Sequence, residues 1–373
     1  MKRLLLCLLL FSSSLEACQV PVFRYALERW VSDPYQVSVL HDGSLNAAAQ
    51  QALQQLQTAA ADDGLNLRLT SVDDLSTLTE DQAWLLDAGG APLPQVQVRY
   101  PLAAKVSTVL LRSPLTPNRV ANILTSPLRK TVQSHIVEGA SAVWVLVETD
   151  NDADNQSALA KLQEHLKTLQ STLELPEGVI GNEAFAAGTV DATVPGFEMD
   201  NVLRSTIPLQ IQFPIVRLHA SDDAEVFFRK MLLGAAPDLR EPVAVPVFGR
   251  GRMMPGLPTS RISLESLTTA CTYLCGACSC QVKEQNPGID LLIHARWDDL
   301  LQGQLMIRER ALPPLAGVGD LQTVNNTTIT TTQDSTKASW SVRSILIVVL
   351  AGVLVLITSA TAFLMIRTRT SHS

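Results

Sequence analysis

The sequence predicts a mixed α/β protein made of two similar halves and carried on one membrane-spanning helix. Three observations lead there. The order β-α-β-α-β-β-α, read from apolar alternation and helical spacing, runs from Tyr35 to Glu138 and returns between Ala142 and Tyr273. Near the C-terminus, Ile345 to Ile366 is a run of 22 residues without a charge, in which only Thr358, Ser359 and Thr361 are polar. About 20 such residues cross the hydrocarbon core as a helix that satisfies its own backbone. At the other end, Met1-Lys2-Arg3, the apolar Leu4 to Phe11 and Leu15-Glu16-Ala17 have the layout of a secretory signal.

Each element has its own justification. Val20 to Trp30 places Val22, Phe23, Ala26, Leu27 and Trp30 at helical spacing, with Pro21 at the first turn. Tyr35 to Leu40 alternates as a strand, and Leu45 to Ala61 is rich in the helix formers Ala, Gln and Leu. Leu65 to Thr70 follows as a strand and Asp73 to Leu86 as a weaker helix. Gln95 to Tyr100 and Val106 to Arg112 form a hairpin, and Thr116 to Glu138 a helix interrupted at Pro127. The second half reads as strand Ala142 to Glu148, helix Ala153 to Leu173, an irregular insertion from Pro176 to Arg204 and strand Leu209 to Leu218. Helix Asp222 to Leu233, strand Pro242 to Phe248, a turn at Gly249-Arg250-Gly251-Arg252 and helix Ser263 to Tyr273 complete the repeat. A last strand, Ile289 to Ala295, precedes a short helix or turn from Trp297 to Leu305.

This order resembles the thioredoxin fold, and Ala91-Pro92-Leu93-Pro94 and Glu241-Pro242 stand ahead of the hairpins where that family keeps a proline. The resemblance implies two tandem thioredoxin-like domains. It does not imply their chemistry, since the positions of the reactive Cys-x-x-Cys hold His41-Asp42-Gly43-Ser44 and Thr149-Asp150-Asn151-Asp152. Val20 to Trp30, Pro246 to Arg252 and Cys278 to Gly288 also resemble an uncharacterised family of exported planctomycete-type bacterial proteins, which implies export and no particular activity. The expected organisation is a signal peptide at 1–17, a first domain at 18–140, a second at 141–311, a Thr/Asn-rich stalk at 312–344, the transmembrane helix at 345–366 and a tail at 367–373. Arg367 and Arg369 favour a cytoplasmic tail, which leaves the bulk of the chain on the extracytoplasmic, periplasmic side.

Candidate chemistry concentrates in Cys271, Cys275, Cys278 and Cys280. Outside the cytoplasm thiols tend to oxidise, so structural disulfides are the first expectation, with Cys275–Cys278 or Cys271–Cys280 fitting better than a bridge within one helix turn. A four-thiolate zinc site and a redox-active pair are the alternatives; the pair suffers from standing at a helix C-terminus, where the dipole does not favour thiolate. Lys283 is the nearest cation that offsets that loss. Cys18, directly after Ala17, stands where a lipoprotein carries its lipid. Arg250 and Arg252 frame a turn that either cradles an anion or points two arginines at solvent. Asp150 to Asp154 alternates acids like a calcium loop, but Asn155 and Lys161 stand where that loop needs Gly and Glu, so a helix cap is expected there.

A formal net charge of −7 gives no basic face for nucleic acid. Hydrolase elbow, zincin and phosphate-loop signatures are missing from the sequence. The expected function is a membrane-tethered binding or scaffolding module with a protein partner, the alternatives being a thiol-disulfide redox protein or a structural zinc protein built on the Cys cluster.

Overall fold

The computed structural model describes residues 18–62, 64–74, 76, 92–190, 197–234, 239–278 and 282–302. The signal peptide, the Asp73–Leu86 helix beyond its first residues, Cys280, the stalk and the transmembrane run lie outside them. Among the described residues no helix is long and apolar enough to cross a membrane.

The described residues of the first half form α1 (Val22–Arg29), β1 (Tyr35–Leu40), α2 (Ala47–Ala60), β2 (Leu67–Val72), β3 (Gln95–Arg99) and β4 (Val109–Pro114). The first sheet has the order β2-β1-β3-β4; β1 and β2 are parallel, and β3 and β4 are antiparallel to their neighbours. The peptide before Pro94, which leads into β3, is cis. The expected long helix is two, α3 (Pro117–Leu124) and α4 (Pro127–Val137), because a proline opens each and the Ser126 side chain caps the second at Arg129.

The second half consists of β5 (Val143–Val147), α5 (Asp152–Thr172), α6 (Asn182–Ala186), β6 (Ile215–Leu218), α7 (Val226–Leu233), β7 (Val243–Phe248), β8 (Arg252–Met253), β9 (Leu257–Pro258), α8 (Leu264–Cys275), β10 (Ile289–Asp290) and α9 (Trp297–Gln302). Its sheet runs β10-β8-β7-β5-β6, with β9 on the flank of β7. The stretch β6-β5-β7-β8 repeats the arrangement of the first sheet, parallel pair first and antiparallel after. Two strands are shorter than the sequence suggests. β6 begins only after Pro214, which has no N–H to give the ladder, and residues 209–213 attach chiefly through Ser141, whose hydroxyl donates to the Gln210 carbonyl and accepts from the Gln212 amide while its own amide donates to the Gln212 carbonyl. Beyond Asp290 the two-residue β8 offers no further partner; the Asn66 side chain takes over, donating to the Leu291 carbonyl and accepting from the Ile293 amide.

β5 is buried on both faces, which is why it reads as an unbroken apolar run. Alternation sends Val143, Val145 and Val147 one way and Trp144 and Leu146 the other. The valines join Val245 and Val247 of β7 and, from the first half, Tyr35, Val37, Val39, Val96 and Val98, in one core. Trp144 and Leu146 join Ala244 and Phe248 in a second core, closed by α1, α5 and α8. The two halves therefore share a hydrophobic core and fold within one compact unit.

Arg129 crosses that shared core. Its guanidinium is fully buried and donates to the Ser126 hydroxyl and to the carbonyls of Asn122, Ile123 and, from the second half, Leu292, at 2.8 to 3.1 Å. Desolvation pulls its pKa down to about 10, partly offset by the Glu225 carboxylate.

Candidate functional site

The Cys cluster lies on the inner side of α8 and the turn that follows it. Cys271 and Cys275, one helical turn apart, face the second core, and Cys278 enters it from the next loop; all three are at most 1% exposed, and neither Cys271 nor Cys275 is in a disulfide. The Cys275–Cys278 bridge expected from spacing is thus not formed, and Cys271 is likewise unbridged. The reason is local: α8 continues through Cys275, and Gly276 carries the chain out extended, so these thiols pack as small apolar groups. Burial raises the Cys271 thiol well above its ordinary range and Cys275 to about 12, the latter slightly eased by the Ser141 hydroxyl. At neutral pH both hold their protons, and a thiol without thiolate character is a poor nucleophile and metal ligand. Among the described residues no three His, Cys, Asp or Glu side chains stand together as a metal site; Cys280 lies outside them.

Cys18 joins the same core from the opposite end of the folded chain. It is buried, its thiol donates to the Asp200 carbonyl at 3.3 Å, and burial raises its pKa. A lipid on this sulfur would have to displace that contact. The following residues pair with the Cys loop: the Cys278 amide donates to Val20 and the Val22 amide to Gly276, around a bridge between Pro21 and Ala277. α1 then crosses the core face, held by a fully buried ion pair in which the Arg24 Nε is 2.8 Å from the Glu28 carboxylate.

The Gly249-Arg250-Gly251-Arg252 turn sits against α1. A Cβ on Gly249 would come within 2.7 Å of the Ala26 Cβ, and one on Gly251 within 2.5 Å of Ile293; both glycines have positive φ, so the turn and its close approach require them. Its arginines do not frame a free anion cradle, nor do they point at solvent. Arg250 donates to the Leu27 carbonyl and to Asp298. Arg252 lies buried over the Trp30 ring, donating to the carbonyls of Pro287 and Asn286 and pairing with Asp290 at 3.1 Å. The three segments singled out in the sequence, around α1, at this turn and after the Cys cluster, therefore meet. No family model matches the chain, and no curated protein matches it.

Where those segments meet, sequence reasoning missed a charged network. The ammonium of Lys283, nearly buried, donates to Asp290, to Asp33 and to the Val31 carbonyl at 2.5 to 2.8 Å. Asp290 also accepts the Asp33 amide, so it ties Lys283, Arg252 and the β1 approach together. Lys283 is thus committed to carboxylates rather than to a thiolate. The network floors a cavity of about 350 Å³ whose other wall is the turn at Pro101 to Lys105 of the first half. Asp33 and Asp290 carry no local signal, because their partners are remote in sequence.

The loops that follow β1 and β5 carry no thiol. His41 contacts its own turn, with Nδ1 3.0 Å from the Gly43 carbonyl. Asn151 caps α5 through Ala153 and Asp154, which explains the acidic alternation around it without calcium. Next to it, the buried Glu148 carboxylate accepts from Arg217 at 2.5 Å and pairs with the half-exposed His219, a cluster with no trace in local sequence spacing.

Proposed function

We propose that the protein is a membrane-tethered, extracytoplasmic binding or scaffolding protein whose two thioredoxin-like halves keep the fold of a redox protein without its chemistry. The repeated sheet order and the helix crossovers between the parallel strands support the fold reading. The signal layout and the 345–366 run support export and anchoring by a single C-terminal helix, with the folded unit on the outer side and the seven-residue tail in the cytoplasm. The observation that carries the functional reading is the burial of Cys271, Cys275 and Cys278 in an apolar core, together with thiol-free loops at the C-terminal ends of β1 and β5. Oxidoreductase chemistry needs an exposed thiolate. What remains for such a scaffold is its surface.

The test equilibrates the full chain, in detergent micelles, with glutathione buffers from strongly reducing to strongly oxidising, then counts blocked thiols by mass spectrometry. The expected result is no pair that cycles with the buffer while the protein stays folded. A reversible dithiol involving Cys271, Cys275, Cys278 or Cys280 would replace this reading with the redox one, and stoichiometric zinc in the same sample with the structural-metal one.

A further inference from the structure

The cavity above Lys283 is lined mostly by charged and polar groups, and we infer that it binds a small zwitterion with an aliphatic body, a free α-amino acid or dipeptide, through Lys105 and Glu284. The inference rests on the binding reading and names a ligand class for it.

The floor has no charge left for a ligand. The Lys283 ammonium is taken up by Asp33, Asp290 and the Val31 carbonyl, and the Arg252 guanidinium by Asp290 and the carbonyls of Asn286 and Pro287. Two cations and two carboxylates thus cancel in place. The remaining charges of the lining are Lys105, from the turn of the first half, and Glu284, next to Lys283. Both are exposed, and neither side chain has an ion pair or hydrogen bond among the described residues. Lys105 is also the one non-glycine residue with left-handed backbone among the described residues, at φ 55°. That conformation costs a residue with a Cβ about 1–2 kcal/mol, and such costs gather at positions where the side chain is used.

One unmatched charge of each sign decides the class of ligand. A phosphate or a simple carboxylate would gain Lys105 and be repelled by Glu284; a simple amine would gain Glu284 and be repelled by Lys105. An uncharged molecule would use neither. An ammonium and a carboxylate on one short molecule use both, and the complex adds no net charge to the cavity. The rest of the lining suits an aliphatic body, since Pro101, Ala103, Ala104 and Ile289 offer apolar surface beside the charged groups. A volume of about 350 Å³ lies near the small end of ligand cavities and fits such a molecule rather than a folded partner. Because Asp290 accepts from both the Asp33 amide and Lys283, the floor is fixed before any ligand arrives.

The experiment uses the full chain in phosphatidylcholine nanodiscs with labelled Ala and Ile methyl groups, titrated separately with leucine, leucyl-leucine, N-acetyl-leucine and leucinamide. The expected result is saturable shifts of the Ala103, Ala104 and Ile289 methyls with leucine or leucyl-leucine, the tighter of the two naming the ligand as amino acid or dipeptide. N-acetyl-leucine and leucinamide, which each lack one charge, should bind about fivefold more weakly than leucine, the share of one solvent-reached ion pair. Ile123, inside the shared core, should stay still. Lys105→Gln should bind leucinamide as well as it binds leucine, and Glu284→Gln should bind N-acetyl-leucine as well as leucine, because each variant removes the partner of the charge that the probe lacks. A merely structural role of either residue would weaken all probes alike. Shifts that are absent, equal affinity for all four probes, or variants that keep the original preference overturn the inference. Thiol cycling reads the functional proposal separately, so failure of one is distinguishable from failure of the other.

Discussion

Glu28→Gln lowers the stability of the folded unit by about 3–5 kcal/mol, the cost of breaking a buried ion pair from one side. The Glu28 side chain is completely enclosed and pairs with Arg24 and Arg29. It also accepts the Arg204 amide at 2.8 Å and the Ser205 amide and hydroxyl at 3.1 and 3.0 Å. A glutamine leaves Arg24 charged and unpaired in an apolar core, and its NH2 group meets donors that it cannot satisfy. The effect is read as a fall in the urea midpoint with an unchanged slope. The double change Arg24→Met with Glu28→Leu should cost much less than the two single changes added, because it removes both charges from the low-dielectric site together. An additive result would mean that α1 is held by its apolar face alone.

Arg129→Ala comes second, at about 3 kcal/mol or more, since it strands several buried acceptors at once. Arg129 holds the α3–α4 junction through Asn122 and Ile123 and the second half through Leu292, and it lies over the Phe227 ring at 5.7 Å. Because that core is common to both halves, unfolding should remain one transition. Fluorescence of buried Trp144 in the second sheet and hydrogen exchange in β1 and β3 of the first should shift together. Two separated transitions would show the halves to be independent domains.

Much of this fold was legible in the sequence, and the exceptions have physical causes. β1 lies where alternation puts it, Tyr35 to Leu40, and α5 differs from its periodicity by one residue at each end. Local signals suffice where an element's own residues decide its state. They fail where a partner decides it: beyond Asp290 the expected strand meets the Asn66 side chain from the first half in place of a ladder. An all-apolar β5 announces two buried faces but not that one of them shares its core with residues of the first half. The candidate site divides the same way. Spacing brought Cys271, Cys275 and Cys278 together, whereas Cys18 joins them, and Asp33 and Asp290 join Lys283, only through tertiary structure. Arg250 and Arg252 looked free because the groups that engage them, Leu27, Asp298, Asn286, Pro287 and Asp290, are invisible from the turn itself.

The central claim is that the described thiols are core atoms rather than chemistry, and thiol labelling of the native protein tests it most directly. The reduced full chain in detergent, pulsed with a maleimide at pH 7.5 and digested for mass spectrometry, should show Cys18, Cys271, Cys275 and Cys278 unmodified until urea unfolds the protein, all four then reacting together. Labelling of Cys271, Cys275 or Cys278 in the folded protein at the rate of a free thiol would contradict it and return the cluster to the centre of the protein's function.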